Sequence, residues 1–350
     1  MNDNKISKNS IVAKFAVPIS FLILFFLAAN FTDCDLVTFW KRRSHLTDLV
    51  VDMIPPDFSY IQKILLPLFY TIQMSVTGTV LGIFFALVLS PFGAANLGFP
   101  AVIRRILRIV IQILRSFPAL ILALTATFLF GLGTFAGTFA ITLYTFAIMT
   151  KLTYEDASAA DVKAYQALRA MGVSKYVAYI HGILPEIIPG FLTNALYLLE
   201  TNVRHSSILG YVGAGGIGLL LNEKISWLEY DKVGTILLML FLTVCVIEYF
   251  SRYLAALIRK ERTIKKEQAR LLLLFLAALF LICTFTLSLP DFSRTSPQTL
   301  RNMFAGFLQP DWSFFFSAEK DGLGYLLLET VCIAFIGTVI GAIVSAPLAF

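Results

Sequence analysis

Long apolar segments recur along this chain, and they constrain its fold more than any other feature. Most reach the roughly 20 residues that an α-helix needs to cross the hydrocarbon core of a membrane. A backbone inside lipid must satisfy its own hydrogen bonds, so such segments fold as helices. The segments predicted to span the membrane lie near residues 13–32, 66–92, 105–130, 134–150, 187–207, 233–257, 270–289 and 325–350. The sequence therefore predicts an all-α polytopic membrane protein.

The amino-acid composition supports this prediction and argues against other classes. Charged residues make up 14% of the chain and hydrophobic residues 58%, whereas a soluble domain has about 25% charged residues. The four cysteines and three histidines show no spacing typical of a metal site or a disulfide framework. We therefore predict no metal ligand and no catalytic residue. No stretch resembles a nucleic-acid-binding module, so no nucleic-acid partner is expected.

The distribution of lysine and arginine predicts which loops face the cytoplasm. If the N-terminus lies inside, most basic residues fall in inner segments, as the positive-inside rule requires, although residues 41–43 run against the trend. The third apolar segment begins as an amphipathic helix and breaks at Pro118. We expect this segment to lie partly along the inner surface before it crosses. Its basic residues are Arg104, Arg105, Arg108 and Arg115.

Residues 151–185 form the one long polar stretch between apolar segments, and the predicted orientation places it in the cytoplasm. Its length is sufficient for a loop that docks a partner. Gly172 lies where one short helix could end and another begin, because glycine tolerates the backbone angles of such a corner. Apolar side chains recur in this stretch at helical spacing. They are Tyr165, Leu168, Tyr176 and Ile180.

An internal repeat relates the segments that begin at Leu68 and at Leu327. At a constant offset of 259 residues, the matches are Thr71 with Thr330, Gly78-Thr79-Val80 with Gly337-Thr338-Val339, and Gly82 with Gly341. The polar sequence Pro-Asp-Phe-Ser at 56–59 resembles Pro-Asp-Trp-Ser at 310–313, upstream of each copy. The second copy lies six predicted spans further along the chain, and six is even, so both copies run the same way through the membrane, as in a parallel repeat.

The repeat predicts the domain organisation. Residues 1–62 form the first membrane helix and an outer segment, 63–258 the first complete membrane domain with its loop at 151–185, 259–270 a basic cytoplasmic linker, and 271–350 an incomplete second copy. The second copy stops inside its second span, where helix surfaces would lack partners. We therefore expect a fragment or truncated product of a longer two-copy protein.

Two motifs carry a resemblance to a known family. Gly172, followed after twelve and thirteen residues by Leu184 and Pro185, resembles the cytoplasmic loop signature of ABC importer permeases. Gln166-Ala167-Leu168 stands where that signature has Glu-Ala-Ala, so the usual acidic charge is missing here. The run from Tyr197 to Gly218, YLLETNVRHSSILGYVGAGGIG, is similar to the phosphonate-importer permeases within the methionine-importer-like permeases. The resemblance covers about residues 50–260 and restarts near 300.

The resemblance implies an ABC importer permease helical bundle for phosphonates or related phosphorus oxyanions. It implies an ABC ATPase dimer docked on the cytoplasmic side through Gln166, Ala167, Gly172, Leu184 and Pro185. The other implied partners are a periplasmic or surface solute-binding protein, a second permease copy in cis or as a homodimer partner, and the lipid bilayer. The implied location is the bacterial inner membrane, with the N-terminus in the cytoplasm.

The chain has no Walker A sequence, so ATP and Mg²⁺ are expected in the partner ATPase, and no cofactor is expected in this chain. Two alternatives remain open. One is a permease of the same fold for another small solute, such as methionine or a quaternary amine. The other is a secondary transporter or channel without an ATPase, although such a carrier has no need of a docking loop.

The fifth predicted span carries ionisable residues at membrane depth, where charges are costly and usually face a bundle interior or a water path. Glu200 and Arg204 have the i,i+4 spacing of an ion pair, so they either line a path or lock two spans together. A glycine-rich segment follows and matches a dinucleotide fingerprint, but no strand is predicted before it, and we interpret it as a hinge. The residues predicted to form a translocation path or gate are Glu200, Asn202, Arg204, Gly213, Gly215, Gly216 and Gly218.

Overall fold

The computed structural model describes residues 20–34, 36–259, 266–288, 301–302, 305–306, 309, 312–317 and 322–348. The regular structure of these residues is helical. The helices are α1 (Ser20–Phe31), α2 (Leu36–Lys41), α3 (Arg43–Asp52), α4 (Ile61–Gly93), α5 (Ala101–Ser116), α6 (Ala119–Phe130), α7 (Thr134–Ala159), α8 (Lys163–Ala170), α9 (Lys175–Gly182), α10 (Leu184–Leu209), α11 (Ile217–Ser226), α12 (Tyr230–Ile258), α13 (Lys266–Phe285), α14 (Trp312–Phe315) and α15 (Leu323–Ser345).

Among the described residues, five helices are long and apolar enough to cross a membrane, namely α4, α7, α12, α13 and α15. Two bent pairs add further candidates: α5 with α6, which meet at 93°, and α9 with α10, which meet at 69°. Each predicted span after the first coincides with one of these helices or pairs, which confirms the all-α polytopic fold. The first predicted span lies partly outside the described residues.

The prediction ended the fourth span too early. It placed this span at 134–150, but α7 continues to Ala159. Lys151 and Glu155 form an ion pair of 3.4 Å one helical turn apart, and such i,i+4 pairs favour the helical backbone. The first residues of the predicted polar loop are therefore the end of a helix.

The break predicted at Pro118 is present. Helix α5 ends at Ser116, and Phe117 is extended with φ −83° and ψ 124°. The proline ring disfavours the helical conformation of the residue before it, so the chain turns at this point. Helix α6 then runs in a different direction and packs on α7.

Contacts divide the chain into two compact units, one formed by residues 50–300 and the other by described residues before 50 and after 300. In the smaller unit, α1 and α15 meet through Phe21 and Phe335, whose ring centroids are 5.1 Å apart. The contact grouping does not follow the predicted start of a second copy at residue 271. Helix α13 joins the larger unit, where the Gln73 side chain donates to the Cys283 carbonyl at 3.0 Å. The predicted four-part organisation itself stays a prediction.

Helix α4 lies at the centre of the larger unit and packs closely on α7. A Cβ atom built on Gly78 would lie 2.7 Å from Ile141 Cγ2, and one on Gly82 would lie 2.6 Å from Thr145 Cβ. Small residues four apart allow two membrane helices to approach in this way. The matching glycines of the repeat, at 337 and 341, also lie within a helix, α15.

Two opposite ends of the larger unit carry the candidate functional segments. Helix α4 has 33 residues, so it is about 50 Å long at 1.5 Å per residue. It runs from one of these two ends to the other. We call the end that contains α8, α9 and the segment 94–100 the docking end. We call the end that contains the turn Phe58–Tyr60, the segment Gly210–Ala214 and α11 the hinge end.

Candidate coupling site and transport path

The corner predicted at Gly172 separates α8 from α9. Gly172 has φ +84°, in the left-handed region that favours glycine. The Val173 N–H donates to the Leu168 carbonyl at 3.2 Å, and the Gly172 N–H donates to the Arg169 carbonyl at 3.0 Å. These two bonds form a Schellman motif, which ends α8 by satisfying its last carbonyl groups.

The second short helix begins directly after this corner. The Ser174 hydroxyl accepts a hydrogen bond from the Val177 N–H at 3.4 Å and thereby caps α9. At the other end of α9, Gly182 lies so close to α8 that an added Cβ would be 2.8 Å from the Tyr165 backbone nitrogen. The sequence therefore builds a compact helix pair rather than an open loop.

Two buried tyrosines anchor this helix pair to the rest of the docking end. Tyr165 is 5% exposed, and its hydroxyl donates to the Leu97 carbonyl at 2.6 Å. Tyr179 is 1% exposed, and its hydroxyl lies 3.3 Å from that of Ser90 on α4. Of the apolar residues that recur at helical spacing, Tyr165 is buried, whereas Ile180 is 36% exposed because α9 turns its neighbour Tyr179 inward.

The predicted docking residues lie at the surface of this helix pair or next to it. Gln166, Ala167 and Gly172 are exposed, as is Pro185 in the first turn of α10. Leu184 is half-buried against the cluster that contains Tyr179. Their contact with another protein stays a prediction.

Met171 is a surface residue that the sequence reasoning missed. It is 71% exposed at the tip between α8 and Gly172. Its position directly before Gly172 could have indicated this exposure, because the corner turns the Met171 side chain away from both helices.

The segment 94–100 connects the helix pair with the ends of α4, α5 and α7. The Asn96 side chain donates to the Ala157 carbonyl at 3.0 Å, and the Lys175 ammonium donates to the Gly98 carbonyl. Arg108 on α5 donates to the Gly93 carbonyl at 3.0 Å. Hydrogen bonds therefore connect α9 and α5 to the end of α4 and the segment that follows it.

An acidic residue precedes α8. The Asp161 carboxylate accepts the Lys163 N–H at 3.0 Å, and this backbone hydrogen bond, followed by the Lys163 side chain, lowers the pKa of Asp161. The carboxylate therefore stays ionised at neutral pH at the start of α8, where negative charge is favourable.

A row of small polar side chains connects α4, α7 and α10 in the interior. Asn202 is fully buried, and its amide donates to the hydroxyls of Thr79 and Thr145, each at 2.8 Å. The Ser75 and Ser206 hydroxyls lie 3.0 Å apart. We call this row the polar column. Its members are Thr71, Ser75, Thr79, Thr145, Asn202 and Ser206, all at most 3% exposed.

Glu200 and Arg204 form the ion pair that their spacing predicted. Both residues belong to α10, so the pair does not link two helices. The Glu200 side chain is 13% exposed and that of Arg204 is 52% exposed. The guanidinium is therefore the more accessible partner of the pair.

The glycine segment begins at the end of α10 and bends the chain into α11. Gly213, Gly215 and Gly216 have φ of +92°, +81° and +74°. A Cβ on Gly216 would lie 2.6 Å from the Thr71 hydroxyl, and one on Gly218 would lie 1.8 Å from the Ser207 carbonyl oxygen. Both backbone angles and close packing therefore require glycine here, and the element before the segment is a helix, not the strand of a dinucleotide fold.

Comparison with known proteins identifies the family. Residues 78–263 match the family described as binding-protein-dependent transport system inner membrane component. This range holds more than half of the chain. The chain belongs to this family of transport permeases. The match covers α4 from Gly78 onward and the helices α5 to α12. It includes the helix pair, the glycine segment and four members of the polar column, namely Thr79, Thr145, Asn202 and Ser206.

Three curated relatives match this permease over 203 to 242 residues. The phosphite transport system permease protein PtxC of Stutzerimonas stutzeri is 31% identical over 217 residues, which are 62% of this chain and 79% of the relative. The putative phosphite transport system permease protein HtxC of the same organism is 31% identical over 242 residues, 68% of this chain and 86% of the relative. The phosphate-import permease protein PhnE of Mycolicibacterium smegmatis is 32% identical over 203 residues, 58% of this chain and 38% of the relative.

A solved structure supports the fold of the permease. A chain of the MetNI methionine ABC transporter, in an inward-facing conformation, superimposes with a TM-score of 0.51 and 20% sequence identity. The match covers 58% of this chain and 99% of that chain. The ABC importer permease fold predicted from the sequence is therefore confirmed.

The permease also contains a charged cluster at the hinge end that the sequence reasoning missed. Lys224 is 6% exposed and lies 3.0 Å from both Glu223 and Glu229. Burial opposes the charge of Lys224, but its hydrogen bonds to Glu229 and Glu223 outweigh burial and raise its pKa. The ammonium also lies 4.4 Å from the centroid of the Trp227 ring. This cluster fixes the turn between α11 and α12.

The permease thus separates its predicted site residues into distinct places. The predicted docking residues Gln166, Ala167 and Gly172 lie together at the docking end. Asn202 lies inside the polar column, and the predicted gate glycines lie at the hinge end. Helix α4 touches each of these places, through the segment that follows Gly93, through the column and through Thr71.

Proposed function

We propose that this permease is the membrane-spanning subunit of an ATP-driven importer for phosphonates or related phosphorus oxyanions. The relatives named as phosphite transport permeases support this substrate class, because the match covers most of their length. The permease does no covalent chemistry in this proposal. It supplies the path and a two-state gate, and a partner supplies the energy.

The anchored helix pair at the docking end is the observation that carries the proposal. An ABC ATPase dimer, holding ATP and Mg²⁺, docks on the exposed faces of α8 and α9 around Gln166, Ala167 and Gly172. Because Tyr165 and Lys175 bond to the segment 94–100, movement of the docked ATPase reaches α4.

The proposal assigns the remaining partners to the two opposite ends of the larger unit. The docking end faces the cytoplasm of a bacterial inner membrane, with the N-terminus on the same side. A periplasmic or surface solute-binding protein delivers substrate at the hinge end. A second permease copy, in cis or as a homodimer partner, completes the path.

The path in this proposal runs beside α10. Glu200, Asn202 and Arg204 and the glycines of the hinge segment form its lining or gate. Arg204 pairs with Glu200 in this structure, so in this proposal it attracts the anion only once Glu200 is engaged elsewhere; its side chain is half exposed. The polar column is closed in this structure, because its members are buried.

Transport into proteoliposomes tests the proposal. The full chain is reconstituted with its ATPase and binding protein, and uptake of labelled phosphite, phosphonate and phosphate is compared with uptake of methionine. We expect uptake of a phosphorus oxyanion only when ATP and both partners are present. Uptake of methionine alone would assign another solute, and uptake without the ATPase that collapses with the ion gradient would assign a secondary transporter.

The docking role has a matched control. Gly172 has φ +84° and donates its N–H to the Arg169 carbonyl at 3.0 Å, while Gly131 has φ +83° and donates to the Thr127 carbonyl at 2.9 Å. Proline removes the same bond and imposes the same strain at either site. We expect Gly172→Pro to abolish co-purification of the ATPase and Gly131→Pro to retain it. Equal co-purification with both variants would contradict the docking role.

A further inference from the structure

Helix α5 exposes a continuous apolar stripe outside the bundle. Four aliphatic side chains follow one another at intervals of four, three and four residues, so they lie on one face. They are Val102, Ile106, Ile109 and Ile113, which are 68%, 57%, 50% and 53% exposed. Ile111 points elsewhere and is 1% exposed, so α5 packs on the protein through a different face. An apolar stripe of this kind needs an apolar environment.

A basic face accompanies the apolar stripe on the same helix. The 16 residues of α5 include four arginines and no acidic residue. Arg104 and Arg108 donate to the carbonyls of Ala95 and Gly93 at 3.5 and 3.0 Å. Arg105 and Arg115 are exposed, and no carboxylate in the described part of the chain forms an ion pair with either.

The direction of α5 fits a helix that lies across the end of the bundle. Helix α6 packs along α7, where Ala123 and Ala126 share a buried cluster with Ala136 and Ala140. Helix α5 meets α6 at 93°. The Arg108 bond to Gly93 holds α5 beside the last turn of α4, at the docking end.

We propose that α5 lies in the plane of the cytoplasmic surface of the membrane and binds anionic phospholipids. The apolar stripe lies among the acyl chains, and the guanidinium groups of Arg105 and Arg115 bind headgroup phosphates. A helix with one apolar and one basic face is suited to this position. A free phosphate ion would use the arginines but leave the apolar stripe uncovered, so a phospholipid matches both faces.

The charge of the headgroup is the specific part of this inference. A basic residue near an anionic leaflet contributes about 1 kcal/mol, or about 5-fold in binding. Loss of both exposed arginines should therefore reduce the preference for anionic lipid about 30-fold. Because Arg105 and Arg115 are exposed, the effect should weaken as salt concentration rises.

Lipid retention measures this preference directly. The full chain is reconstituted in nanodiscs of phosphatidylcholine and phosphatidylglycerol, and native mass spectrometry counts the lipids retained. We expect Arg105→Gln and Arg115→Gln to lower retained phosphatidylglycerol about 5-fold each, and the corresponding lysine variants to restore it. The control is Arg252→Gln, which removes an exposed charge from α12 that already pairs with Glu248. Unchanged retention in the double glutamine variant would overturn the proposal.

The depth of α5 distinguishes lipid from other occupants. A spin label at Ile109→Cys, with the exposed Cys34 and Cys245 replaced by serine, should contact oxygen and not a water-soluble nickel complex. If the label contacts the nickel complex until the ATPase is added, then α5 is a protein-docking face and the proposal is overturned. Displacement of phosphatidylglycerol by inorganic phosphate would identify a free-anion site and overturn it as well. Neither readout depends on which solute is transported.

Discussion

Replacement of Asn202 by leucine tests whether the polar column holds α10 against α4 and α7. The change keeps the branched shape of the side chain and removes two hydrogen bonds, to Thr79 and to Thr145, each 2.8 Å long. Hydrogen bonds between membrane helices contribute about 0.6 kcal/mol on average and reach about 1.7 kcal/mol. We therefore expect Asn202→Leu to lower the free energy of unfolding by about 1–3 kcal/mol.

A double-mutant cycle isolates the hydrogen bond from other effects of the substitution. Asn202→Leu is combined with Thr145→Val, and the free energy of unfolding is measured by sodium dodecyl sulfate titration in mixed micelles. The expected coupling is about 0.6–1.7 kcal/mol. The control partner is Thr142→Val on the same helix, whose hydroxyl donates to the Thr138 carbonyl of α7 itself at 2.8 Å. A coupling with Thr145 no larger than that with Thr142 would refute the reasoning.

Three further predictions concern the two ends. Tyr165→Phe removes the 2.6 Å bond to the Leu97 carbonyl, so it should destabilise the docking end by about 1 kcal/mol and reduce transport-coupled ATP hydrolysis; Tyr176→Phe is the control. Gly218→Ala should abolish folded protein in a size-exclusion assay, because its Cβ would lie 1.8 Å from the Ser207 carbonyl oxygen, whereas Gly190→Ala, with open space around its Cβ, should be tolerated. The pKa of Lys224 is raised by folding, so its contribution to stability is fully present below the pKa of an unfolded lysine and is lost only as pH rises through the higher folded value. The pKa of Glu229 is lowered by folding, so its contribution is present above the pKa of an unfolded glutamate and is lost as pH falls through the lower folded value. The difference in melting temperature between wild type and Lys224→Met should therefore stay constant from about pH 5.5 to 9, and a titration within that range would contradict the ion-pair assignment.

Local signals explain why much of the fold could be predicted. Span length follows from hydropathy, the break before Pro118 follows from the steric effect of its ring on Phe117, and the corner at Gly172 follows from its freedom to adopt positive φ. Each of these features depends on a few neighbouring residues. The helical continuation to Ala159 was missed because polarity was taken as the end of a helix, although an i,i+4 ion pair stabilises one.

The partners of buried polar groups could not be predicted, because they depend on which helix faces meet. Asn202 reads in the sequence as a polar residue at membrane depth, and a water path or a helix contact would both fit. Only the arrangement of α4 and α7 around α10 brings Thr79 and Thr145 to its amide. Lys224 was missed for the same reason, since its partner Glu229 lies beyond the end of α11.

The energies of these contacts indicate which helices move together in the proposed two-state gate. Gly78 and Gly82 place the α4 backbone in direct contact with α7, and separating such a close-packed pair exposes a large surface. Helix α10 is held to the same pair in part through the polar column, where the two bonds of Asn202 contribute about 1–3 kcal/mol. Hydrogen bonds of this size can break and reform within a two-state change that a partner drives. A displacement that enters α4 at the segment 94–100 should therefore move α4 and α7 together, and it should open the permease along the face of α10 that carries Asn202.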